Sequence, residues 1–99
     1  MSITGKWKLD LQTQIGAMVL TLDVKDESGV LTGTSDFYGS VVPIQQGKIE
    51  GEKFGYYFTA YTAYGNFNLG VDGVFTGDSI SGTMTGETYV TFTGSRIVE

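Results

Sequence analysis

Cysteine and histidine are both absent from this chain of 99 residues, and proline occurs once. Without cysteine no disulfide can staple the fold, although a single domain of this length sits near the size where one core only just suffices. The same two absences exclude the usual zinc sites, thiol nucleophiles and imidazole general bases. Basic residues are sparse as well: 6 Lys and Arg stand against 11 Asp and Glu, for a net charge of -5. A chain with so few, scattered cations lacks the basic stripe that nucleic acid requires, and anionic membrane surfaces are disfavoured for the same reason. No apolar run approaches the length of a membrane span, and the start, MSITGKW, has neither the basic region nor the apolar stretch of a signal peptide. The expected compartment is therefore cytoplasmic.

What the chain has in quantity is glycine, 15 residues, together with Thr, Val, Ile, Tyr and Phe, and no long stretch carries helical spacing. This composition predicts an all-β fold. Turn signals recur at TQIG (13–16), DESG (26–29), DFYG (36–39), GEK (51–53), TAYG (62–65), TGDS (76–79) and TGET (85–88). They delimit eight strands whose short links permit only antiparallel neighbours, an up-and-down meander over residues 1–99 as one domain.

Within each strand one parity is apolar, and that parity marks the buried face. It runs through Trp7, Leu9 and Leu11, then Met18, Leu20, Leu22 and Val24, then Phe54, Tyr56, Phe58 and Ala60, then Phe67, Leu69 and Val71, and ends in Val90, Phe92, Gly94 and Arg96. In the fourth strand Ile44 and Ile49 share a face only if a bulge near Gly47 switches the parity. Eight one-sided strands without a helix to cover them favour a closed eight-stranded antiparallel barrel over a sandwich, because closure removes the sheet edges. The inward glycines Gly33, Gly73, Gly82 and Gly94 suit the tight curvature. GVLTGTS (29–35) also resembles DSISGTM (78–84), as hairpins under one steric demand would.

In such a meander the first strand's start and the last strand's end meet at one end of the barrel. Trp7 and Arg96 are both of inward parity there, so the guanidinium is expected to lie over the indole and to donate to free carbonyls at the barrel floor. Gly5-Lys6-Trp7 on the first strand with Arg96 on the last resembles the G-x-W and terminal Arg pair of the lipocalin and calycin group. The run GKWKLDLQT, LTGTS, PIQQGKIEGEKF, GVFTGDSISGTM and FTGSR is similar, over nearly the whole chain, to small bacterial lipocalin-like barrel domains. Larger lipocalins carry an additional helix and often a disulfide, and this sequence has a signal for neither.

The resemblance implies a ligand site at the open end, opposite the Trp floor. The loops expected there hold Ile15, Phe37, Tyr38, Tyr64 and Tyr89 above a greasy interior. The expected function is binding of a small hydrophobic or aromatic molecule, with Met18, Phe37, Tyr56, Phe58, Tyr64, Phe67, Met84 and Tyr89 as the binding residues. Two alternatives stand beside it. One is a structural or interaction module whose own side chains fill the barrel. The other is a cofactor-free isomerase or cyclase, a chemistry that lipocalin-like folds host, for which Asp36, Glu87, Tyr64 and Tyr89 are the only convergent group. The remaining carboxylates Asp10, Asp23, Glu50 and Asp72 read as solvated surface, and DVKDES (23–28) lacks calcium-loop spacing. No metal and no cofactor are expected. Val41, Pro43, Tyr57 and Tyr61 form an apolar patch on the outer wall, and a homodimer or higher homo-oligomer through that wall is the expected partner arrangement.

Overall fold

The computed structural model describes residues 2–63 and 65–97. Nine strands follow one another: β1 (Gly5–Thr13), β2 (Gly16–Glu27), β3 (Val30–Phe37), β4 (Ser40–Pro43), β5 (Gln45–Glu50), β6 (Lys53–Thr62), β7 (Gly65–Thr76), β8 (Ser79–Gly86) and β9 (Tyr89–Arg96). They form one antiparallel sheet in the order β4-β3-β2-β1-β9-β8-β7-β6-β5, so first and last strands pair and the sheet curls into a nearly closed barrel. The fold is all-β, and no helix occurs among the described residues.

The count is nine where eight were expected, because the segment expected as one fourth strand turns a corner. β4 pairs with β3, with Pro43 opposite Thr34, and β5 pairs with β6. Between them Pro43 locks its φ and offers no N–H, so the ladder breaks there. Ile44 turns inward and donates its N–H to the Gly33 carbonyl at 3.0 Å, while the Ile49 N–H reaches Gly29 O at 3.1 Å. These two bonds bridge the corner at which the ring of strands is interrupted. The expected bulge is present: the β5–β6 register shifts between Gln45 and Lys48, and Gln46 sits at φ 52°.

The hairpin turns follow from local chemistry. At Ser28-Gly29 and Tyr38-Gly39 both residues take positive φ, as a type I′ turn demands, and a preceding aspartate anchors each turn. Asp26 Oδ1 accepts from the Gly29 N–H and Asp36 Oδ1 from the Gly39 N–H, both at 2.9 Å. The alternation in the strands holds: Trp7, Leu9 and Leu11 are buried and Lys6, Lys8 and Asp10 exposed or partly so. The kinship of 29–35 with 78–84 has a steric cause. A Cβ at Gly33 would collide with the Asp23 carbonyl across the ladder, and one at Gly82 with the Asp72 carbonyl.

One end of the barrel is sealed. Trp7 is fully buried, and its Nε1–H donates to Ile3 O at 2.8 Å. The Arg96 guanidinium carbon lies 4.3 Å from the Trp7 ring centroid. Its Nη1 donates to Thr4 O at 2.8 Å and its Nη2 to Ser2 O at 2.9 Å and Gly77 O at 3.2 Å, while Nε bonds Asp78 Oδ1 at 2.9 Å. Ile3, which no strand pattern includes, is fully buried beneath this cluster. The segment before β1 thus forms part of the floor.

Candidate functional site: an apolar cavity at the open end

The connections β1–β2, β3–β4, β6–β7 and β8–β9 lie at the end away from Trp7, and there the barrel is open. A cavity of about 660 Å³ enters the interior between them. Inward parity supplies its walls: Leu11 from β1, Met18 and Leu20 from β2, Phe58 and Ala60 from β6, Phe67 and Leu69 from β7, Met84 from β8 and Val90 from β9. Ile15 and Tyr38 project from the rim, 61% and 68% exposed. The interior is therefore packed at the floor, and the cavity opens at the mouth above side chains that are themselves buried, Leu11, Leu20, Phe58 and Met84 among them.

Of the eight expected binding residues, Met18, Phe37, Phe58, Phe67 and Met84 meet around this cavity. Tyr64 lies outside the described residues. Tyr89 does not line it: β9 turns Val90 inward, so Tyr89 faces outward and is 56% exposed. Tyr56 does not reach it either, because it stands one layer deeper than Phe58, with 5.9 Å between the two ring centroids, and is buried against Phe54 as well. Tyr61, assigned to the outer wall by parity, contributes to the mouth, as do Leu11 and Val90 from the closing strands.

The mouth carries few polar groups, and several are committed. The Asp36 carboxylate anchors its own turn. The Tyr38 hydroxyl accepts from the Val19 N–H at 3.1 Å, which ties the β3–β4 turn to β2. Glu87 Oε1 accepts from the Asn68 backbone N–H at 3.3 Å and from Asn68 Nδ2 at 3.4 Å, and Asn68 Oδ1 accepts from Thr59 Oγ1 at 2.7 Å. Glu87 is thus held against β7.

Below the cavity two hydroxyls are orphaned. Ser35 Oγ and Tyr56 Oη are buried and have no hydrogen-bond partner. Burial pushes the Tyr56 phenol well above its ordinary range, because the interior solvates a phenolate poorly. Nothing in the inward alternation distinguishes Tyr56 from its phenylalanine neighbours; its hydroxyl was the only available signal. Among the described residues no group of three or more acidic, Cys or His residues is placed to hold a metal ion.

No protein-family model matches the chain, and no curated protein matches it.

Proposed function

We propose that the barrel is a binding protein of lipocalin-like type for a small apolar or aromatic molecule, which enters at the open end and rests above the layer of Tyr56. The observation that carries this reading is the hollow itself. At about 660 Å³ it falls in the range of small-molecule sites, and its inner walls are aliphatic, aromatic and thioether side chains, with Thr13, Gln14, Ser40, Glu87 and Thr88 at the rim. A ligand burying about 200 Å² of apolar surface gains on the order of 5 kcal/mol there, before the costs of association, so affinity is modest. Recognition comes from shape and apolar area, and selectivity among ligands of similar size is broad. Met18 and Met84 favour such tolerance, since thioether chains adapt to irregular surfaces.

The test is fluorescence titration with a neutral apolar dye such as N-phenyl-1-naphthylamine. Saturable enhancement, competed by small aromatic hydrocarbons, is the expected result. An unchanged emission at dye concentrations up to its solubility overturns the reading.

A further inference from the structure

A second depression, of about 520 Å³, lies on the outer wall across β5, β6, β7 and β8. Its cause is glycine at outward positions. Two adjacent cross-strand rows cross it: Lys48, Gly55 and Asp72, and Gln45, Tyr57 and Gly70 with Thr85 beyond. Each row has one glycine opposite one large side chain, and each large side chain leans over the glycine facing it. The Cδ1–Cε1 edge of Tyr57 lies over Gly70, close enough that a Cβ there would stand 2.9 Å from Cε1. The Asp72 carboxylate leans over Gly55, where a Cβ would stand 3.3 Å from Oδ1, and Gly55 is buried despite facing outward.

Tyr57 nonetheless remains 54% exposed, so its ring is supported from beneath and open above. Lys48 and Asp72 stand two inter-strand spacings apart, about 10 Å, with only glycine between them. Among the described residues no ion pair joins them, and the side chains of Gln45, Lys48, Asp72 and Thr85 have no hydrogen-bond partner. Asn68 at the edge is held in place by Thr59 and Glu87.

We infer that this outer groove is a second binding site, independent of the open-end cavity, for a neutral saccharide of one or two pyranose rings. An aromatic face carries negative charge density and attracts the weakly positive C–H face of a sugar ring. The hydroxyls around that ring each donate and accept. The amides of Gln45 and Asn68, the Asp72 carboxylate, the Lys48 ammonium and the Thr85 hydroxyl offer both kinds of partner. Other occupants fit less well. Anions meet the Asp72 carboxylate, which offsets the charge of the groove's one lysine, Lys48. An extended peptide finds no free backbone at the groove's centre, where Gly55 and Tyr57 pair with both β5 and β7, and Gly70 and Asp72 with both β6 and β8.

The test is titration of the ¹⁵N-labelled protein with maltose, cellobiose and lactose, followed by amide shifts. At least one sugar is expected to move the Gly55, Gly70 and Asp72 amides progressively, with millimolar affinity, and to leave Met18, Leu20 and Ala60 in place. Tyr57→Ala removes the stacking face and should weaken binding by about tenfold or more. Gly55→Thr fills the space between Lys48 and Asp72 and should do the same; if it fails to fold, truncation of the exposed Tyr57 carries the test. No movement of these amides with any of the three sugars overturns the inference. So does binding that survives both variants, or shifts confined to the open end. A parent dimer that Tyr57→Ala dissociates, with sugars inert, overturns it too and gives this wall to a second copy of the chain. Binding of the apolar dye is independent of every one of these outcomes.

Discussion

Arg96 and Trp7 are cross-strand partners, one on the last strand and one on the first, and the guanidinium carbon stands 4.3 Å from the indole centroid. The contact closes the barrel twice over, by stacking and by donation to the Ser2, Thr4 and Gly77 carbonyls. Arg96→Ala removes the stack and leaves those acceptors at the floor without this donor, and should lower stability by about 1 to 3 kcal/mol in urea melts. Asp78→Ala removes only the exposed partner of the same arginine and should cost less than about 0.5 kcal/mol. Equal losses in the two variants would contradict a floor built on the carbonyls and the indole.

Met84 is fully buried yet borders the cavity, so its size sets the room available to a ligand. Met84→Trp should reduce dye binding and Met84→Ala should change it in the opposite sense or shift preference toward bulkier probes. Circular dichroism checks that the barrel persists. Undiminished dye binding by a folded Met84→Trp protein would place the dye elsewhere.

Tyr56 keeps an unpartnered hydroxyl in the interior, and its phenol is raised by burial from the ordinary value of 10.0. A phenol whose folded pKa lies above its unfolded one holds its proton in the fold after the unfolded chain has lost it. Stability from this group is thus intact below about pH 10 and falls as pH rises beyond it. Tyr56→Phe should be neutral or stabilising at pH 7, by up to about 1 kcal/mol, and should flatten the alkaline decline in melting temperature. A large loss at pH 7 would mean that the hydroxyl has a partner.

Gly82 lies where the β7 and β8 backbones approach so closely that a Cβ would strike the Asp72 carbonyl and the Gly73 Cα. Gly82→Ala should cost about 2 kcal/mol or more, since backbone must move to admit the methyl. Gly16→Ala, at a positive φ with open space around it, should cost on the order of 1 kcal/mol from backbone strain alone. Thermal melts of the two variants rank them.

Alternation and turn chemistry act over a few residues, so the sequence by itself determined the class, the turns, the inward faces and the meeting of Trp7 with Arg96. Side-chain direction in a strand has period two, and a two-residue link leaves an antiparallel neighbour as its only outcome. The corner at Pro43 and Ile44 was legible only as a parity change near Gly47, since whether a chain bulges or divides into β4 and β5 depends on which neighbour each half pairs with. Ile3 was invisible to periodicity because it belongs to no strand, and the closed end supplies the space that buries it. The hollow above Tyr56 was also decided in three dimensions. Parity says that Met18, Phe58 and Met84 point inward, but whether they meet or leave room depends on barrel radius and on all facing volumes together. Gly55 and Gly70 carry no signal of a site along the chain; only register sets Asp72 opposite the first and Tyr57 opposite the second. A side chain's parity is local, whereas the space around it is a property of every strand that closes the barrel.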